Sequence, residues 1–172
     1  MKQVILVCLL VLLTLNSATC MAAPSGDNAL AAVALYIDTS GHYVPGAELL
    51  NKALNEVIRF KINALFLGSE VQSGNEVLRD LNRYNVANAA SATPDGLSQY
   101  AENRHVNYII LLSVRPLDIA VDLKTYATAT NDFIVDKTVT RPDGSETQAT
   151  FDALSEMVGN EVTGVLQSIR GS

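Results

Sequence analysis

Cysteine is nearly missing from this chain: two occur in 172 residues, Cys8 and Cys20, both within the first twenty positions. Everything after Met21 therefore lacks a disulfide framework, a thiolate nucleophile and a thiolate zinc site. Basic charge is scarce as well. Twelve Lys and Arg stand against eighteen Asp and Glu, a net charge of −6. That balance argues against nucleic acid and against an anionic membrane surface as the main partner. No apolar run reaches the roughly 20 residues that a membrane-spanning helix needs. Internal repeats and low-complexity stretches are absent.

The signatures of common chemistries are missing too. There is no Gly-x-Ser-x-Gly elbow and no glycine-rich loop after a strand to cradle phosphate. No His-x-x-x-His or Asp-x-Asp-x-Asp spacing offers a metal site. His42 and His105 are the only histidines. Each flanks a predicted strand, so both read as exposed loop residues, and neither a cofactor nor a metal is expected.

What is present begins at the N-terminus. Lys2 supplies a positive end, Val4 to Leu15 is apolar but for Thr14, and the small-residue stretch Ala18-Thr19-Cys20-Met21-Ala22-Ala23 closes on Pro24. Charge, short apolar core and small residues in that order are read by signal peptidase. Residues 1–23 are thus expected to be a signal peptide, residues 24–30 a flexible tether, and residues 31–172 a single domain in the periplasm or secreted. No membrane insertion is expected once the leader is removed. Ser17-Ala18-Thr19 before Cys20 keeps a lipid-anchored form as an alternative, although the usual lipoprotein tripeptide is not met.

The remainder reads as α/β (α+β), a single mixed β-sheet covered by helices. Ala31 to Asp38 is an apolar run of strand length. Leu49, Leu50, Ala53, Leu54, Val57 and Ile58 recur with the 3.6 period of a helix over Ala47 to Phe60. Ile62 to Leu67 reads as a second strand ended by Gly68. Ser73 and Glu76 form a capping-box pattern for a helix reaching Tyr84, and Val86 to Ala90 reads as a short extended piece. Thr93-Pro94 opens a third helix. Val106 to Val114 is the most apolar strand and is expected at the sheet centre. Ile119 to Thr128 alternates and pairs back with Phe133 to Thr140 around an Asn131-Asp132 turn, leaving one wetter face. Arg141-Pro142-Asp143-Gly144 is turn chemistry. Phe151 to Ile169 carries a long final helix, in which Gly159 and Gly164 suggest close approach to the sheet or a bend.

The order is β-α-β-α-(β)-α-β-β-β-α. Its second half, a helix from Leu97 to Arg104 running into V-N-Y-I-I-L-L-S-V and then an antiparallel pair and a helix, resembles the periplasmic α/β domain of curli-secretion (CsgG-like) channels. It is similar also to the N-terminal domain of the periplasmic translocation protein TolB and to outer-membrane lipoproteins that activate wall synthases. Asn107-Tyr108 holds the place of that group's Asp-Tyr, and Ser113 that of its glycine; its Asp-x-x-Thr-Gly turn is replaced by Asn131-Asp132. The resemblance implies a non-catalytic cell-envelope module that binds other envelope proteins.

One pattern tests that reading. Ala34-Leu35-Tyr36-Ile37-Asp38-Thr39 approaches the Asp-Thr-Gly loop of aspartic proteases, in which two carboxylates share a proton. Ser40 separates Thr39 from Gly41 and no second copy exists, so Asp38 reads as a turn cap at a strand end. Asp118, Asp122, Asp132, Asp136 and Asp143 cluster around the hairpin, and alternation is expected to disperse them over both faces. A small extracytoplasmic hydrolase using Asp38 or these aspartates is the alternative function. For a binding module, the candidate partner contacts are His42 and Tyr43 in the loop after the first strand, and Asn131 and Asp132 at the hairpin tip.

Overall fold

A computed structural model describes residues 29–66, 70–141 and 149–171. The proposed leader with Cys8 and Cys20, residues 24–28 of the tether, Gly68 and the Pro142-Asp143-Gly144 part of the predicted turn lie outside the described residues; Ala29 and Leu30, expected in the tether, open the first strand instead. The elements are β1 (Ala29–Ile37), α1 (Ala47–Leu65), β2 (Val71–Ser73), α2 (Asn75–Asn82), α3 (Pro94–Arg104), β3 (Val106–Arg115), β4 (Ala120–Ala127), β5 (Asp132–Thr140) and α4 (Thr150–Arg170). They form one mixed five-stranded sheet in the order β2-β1-β3-β4-β5, the α/β class expected.

Chain direction explains the layers. From β1 the chain moves outward to β2, parallel to it, then returns across β1 to β3, also parallel to β1. Right-handed crossovers in opposite directions place their helices on opposite faces. Accordingly Leu54, Ile58 and Ile62 of α1 pack with Ala31, Val33 and Leu35 on one face, together with α4. Val77 and Leu81 of α2, and Leu97 and Tyr100 of α3, pack with Ala32, Ala34, Ile109 and Leu111 on the other. β3 is covered on both faces, which is why its run is apolar at successive positions rather than alternate ones.

The antiparallel meander is different. Val121, Leu123 and Thr125 of β4 face the α1–α4 layer, whereas Asp122 and Lys124 turn to a face without a helix. β5 closes the sheet as a largely exposed, charged edge, as the sequence suggests.

Four expectations are corrected. Ile62 to Leu65 continues α1 and is not a strand, because Ile58, Ile62 and Leu65 hold the helical period and no breaker intervenes. The second strand is instead the three-residue β2. Ser73 ends that strand and Gly74 precedes the helix without a side-chain cap, so the capping box is not made. Val86 to Ala90 forms turns in which the Ser91 hydroxyl accepts the Ala87 and Asn88 N–H groups at 3.1 Å. Gly159 allows close approach to α1 rather than to the sheet: a Cβ there would lie 3.1 Å from Lys61 Cε and 3.4 Å from Val57 Cγ1, whereas Gly164 has open space. Thr93 caps α3 as expected, its hydroxyl accepting the Gly96 N–H at 3.3 Å.

Candidate functional site

The parallel strands β1 and β3 end side by side, with Ile37 opposite Val114. In open α/β sheets the crevice beyond the carboxyl ends of such strands, where the connections diverge, is the usual binding position. Here the loop leaving β1 is held by its own polar groups. The Asp38 carboxylate accepts the Ser40 N–H at 2.8 Å, and the Thr39 carbonyl accepts the His42 N–H at 2.9 Å. The Asx turn offsets the left-handed backbone of Ser40, with φ of 50°. Asp38 therefore takes the turn-capping role expected of it.

His42 and Tyr43 project from this loop, both exposed, Tyr43 at 90%. Leu49 stands 74% exposed in the first turn of α1, and Leu117 60% exposed in the turn joining β3 to β4. Phe151, 45% exposed, lies in the first turn of α4. That helix runs in the direction of α1, since Gly159 abuts Val57 and Lys61 while Arg170 donates to the Leu65 carbonyl at 2.9 Å. Its first turn is therefore at the same end of the molecule. Of the six large apolar side chains left exposed among the described residues, four are gathered at the carboxyl end of β1 and β3.

Beside the loop a cavity of about 420 Å³ opens between α1 and the segment after α2. Leu35, Ile37, Leu78 and Ala87 give it apolar walls; Asp38 and Glu48 are the charged residues that line it. The phenol of Tyr36, also on its wall, donates to the Val86 carbonyl at 3.3 Å, and burial pushes its pKa up to about 12. Along α1 a second hollow of about 530 Å³ shares Glu48 and Asn51 and reaches Ser73 and Gly74.

Asn131 and Asp132 are elsewhere. β4 begins opposite Arg115 and ends opposite Tyr108, so the hairpin tip lies at the other end of β3 from the His42–Tyr43 loop. Seven strand residues separate the two levels, about 23 Å at the usual rise. The two candidate contact regions are not one surface. Asn131 and Asp132 moreover serve the turn: Asn131 Oδ1 accepts the Tyr126 hydroxyl at 2.7 Å with a left-handed backbone, and Asp132 opens β5. His42 and His105 are likewise at opposite ends; His105 is the left-handed cap of α3 just before β3. Among the described residues no group of three or more His, Cys, Asp or Glu is placed to hold a metal ion.

The hairpin aspartates are less dispersed than alternation suggested, because Asp122 and Asp136 share the open face. They do not form an acid–base pair. Arg115 grips Asp122 with two nitrogens at 2.9 and 3.1 Å and Asp118 with a third at 2.7 Å; the Thr138 hydroxyl donates to Asp122 at 2.6 Å. Lys124 pairs with Asp136 at 3.6 Å. Partial burial pushes the Asp122 carboxyl up, but the hydrogen bonds from Arg115 and Thr138 outweigh it and hold the group below its ordinary range. The face is a lattice of paired, ionised groups.

Sequence reasoning passed over Asp80, the one buried acidic residue among the described residues. It pairs with Arg104 from α3 and with Arg83 at 3.1 Å, tying the two helices of one face together. No linear spacing signals it, since Asp80 and Arg104 are 24 residues apart. No protein-family model matches the chain, and no curated protein and no solved structure does so either.

Proposed function

We propose that the chain is an exported, non-enzymatic interaction module of the cell envelope, periplasmic or secreted, which docks onto an envelope protein through the carboxyl end of its parallel strands. The observation that carries this reading is the placing of Tyr43, Leu49, Leu117 and Phe151 at one end, four of the six large apolar side chains left exposed among the described residues. Exposed apolar side chains brought together by separate elements are characteristic of protein contacts. Tyrosine and phenylalanine supply large contact area with few rotatable bonds. The leader-like N-terminus and the resemblance to envelope assembly domains support the location. Among the described residues no helix is long and apolar enough to cross a membrane.

The test is capture from envelope extract with the full chain as bait, beside a variant carrying Tyr43→Ser, Leu49→Ser and Phe151→Ser. A partner retained by the wild type and lost by the triple variant is expected, with unchanged circular dichroism. The same preparations are offered peptidase, glycosidase and esterase substrates. Turnover by the wild type that disappears in Asp38→Asn or Asp122→Asn would replace this reading with the hydrolase.

A further inference from the structure

The cavity beside the β1 loop has a feature that apolar docking alone does not use. β2 pairs with β1 only from Ala31 to Val33, whereas β3 accompanies β1 as far as Ile37. Beyond Val33, then, β1 has a partner on one flank and none among the described strands on the other. The hydrogen bonds at its two ends fix which groups face that flank. The Ala31 N–H donates toward β2, to the Glu70 carbonyl at 3.3 Å, and the Asp38 N–H donates toward β3, to the Val114 carbonyl at 2.8 Å. Backbone groups in a strand alternate sides, so those of Leu35 and Ile37 point to the vacant flank. The cavity of about 420 Å³ is lined by these same residues.

We infer that this crevice takes an extended, basic segment of the partner protein, added beside Leu35 and Ile37 as a strand in the place that β2 leaves empty. The inference rests on the docking reading above and deepens it. Strand addition fits because the open edge offers main-chain donors and acceptors at two-residue intervals, and side chains of an added strand alternate between faces. One face of that strand would meet Ala47 and the α1 wall, the other Leu78 and Ala87. Charge selects the sequence. Asp38 and Glu48 are the charged groups of the cavity, and neither makes an ion pair among the described residues. Lysine or arginine at the end of the added strand that lies beside Asp38 meets both, and the net charge of −6 favours its approach.

A displayed library of linear heptapeptides, selected on the immobilised full chain, tests this. Enriched peptides are expected to carry Lys or Arg toward one end, beside a run of β-branched residues, and to lack proline centrally. A synthetic copy of the most enriched peptide is then titrated against three proteins. Asp38→Lys with Glu48→Lys is expected to weaken it at least tenfold. Ile37→Pro is expected to do the same, since it removes an N–H that faces the vacant flank and spares the β3 ladder. The double charge reversal involves exposed residues and serves alone if the proline variant fails to fold. Acidic or proline-rich enriched peptides, no enrichment, or binding indifferent to the charge reversal would overturn the strand-addition inference. The partner capture that depends on Tyr43, Leu49 and Phe151 would stand unaffected, so the two readings fail separately.

Discussion

The two halves of this sheet are built on different terms. In the parallel half, β2-β1-β3, helices cover both faces and the side chains from Ala31 to Leu35 and from Ile109 to Val114 are out of water. In the meander half, β4 and β5 bury one face against α4; on the other, Tyr126 and Phe133 pack toward the α2–α3 core and the matched charges of Asp122, Arg115, Lys124 and Asp136 lie beyond them. The contrast shows how one sheet divides its tasks. The doubly covered half supplies stability and a rigid strand end, while the singly covered half closes the sheet with an edge that charge protects from further pairing. The candidate site lies where the covered half runs out of cover, at the end of β1 that β3 alone accompanies among the described strands.

The largest effect expected from breaking this contrast is at Ile110, fully buried on β3 in the core of the α1–α4 layer. Ile110→Asp places an unpaired carboxylate there, at a cost of several kcal/mol. A domain has only about 5–15 kcal/mol in total. Urea melts are expected to find Ile110→Asp unfolded or nearly so. Asp38→Asn, in an exposed turn whose cap needs only a side-chain oxygen, is expected to stay within about 0.5 kcal/mol of wild type.

Next comes Asp80, which joins α2 to α3 across the covered face. Asp80→Ala removes the shared anion and leaves Arg83 and Arg104, both partly exposed, free to hydrate. The expected loss is about 1–3 kcal/mol, read from the same melts. It is expected to exceed the loss from Asp136→Ala, whose partner Lys124 sits on the open face and whose pair is worth about 1 kcal/mol at most.

The halves are also expected to respond at opposite ends of the pH scale. Burial raises the pKa values of Tyr36 and Tyr100, under α2 and α3, to about 12 from the ordinary 10.0. Their contribution is present in full below pH 10 and is lost as pH rises toward 12, because the unfolded chain ionises first. Asp122 has a lowered pKa, so its contribution is present above the unfolded value and is lost as pH falls through the folded one, in the acid range below about 4. Denaturant midpoints measured at pH 3 and at pH 11 check this. Tyr100→Phe should flatten the alkaline decline only, and Asp122→Asn the acid decline only.

How much of this could be read from the chain divides along the same line. The unbroken apolar run of β3 and the alternation of β4 state their environments directly, as does Thr93-Pro94 for α3. Ile62 to Leu65 was misleading because a short apolar stretch fits a buried strand and a final helical turn equally well; only its neighbours Leu54 and Ile58 decide. β2 is three residues long, too short for any period. The candidate site was half legible. The loop with His42 and Tyr43 is a polar break after a strand, and it does lie at the crevice. Asn131 and Asp132 matched on residue type but belong to the far end, because the register between β3 and β4 is a fact of pairing that no local pattern carries. Tyr43, Leu49, Leu117 and Phe151 come to the same end from four separate segments, and sequence distance hides it.

The smallest effect is the most specific. Thr125 lies on the buried face of β4, opposite Ile110 on one side and Val135 on the other, with no exposed surface. Its hydroxyl has no hydrogen-bond partner. On the open face a threonine is useful, as Thr138 shows by donating to Asp122; on the buried face the same group is desolvated without return. Thr125→Val keeps the branched shape, retains the β-strand preference and removes the orphaned polar atom. The expected gain is about 1 kcal/mol, seen as a melting temperature higher by roughly 2–5 °C for a domain of this size. Thr138→Val is expected to lower stability by a similar amount, since it strips a donor from a carboxylate that Arg115 also holds. If both substitutions moved stability in the same direction, the assignment of Thr125 and Thr138 to opposite faces of the meander would be wrong.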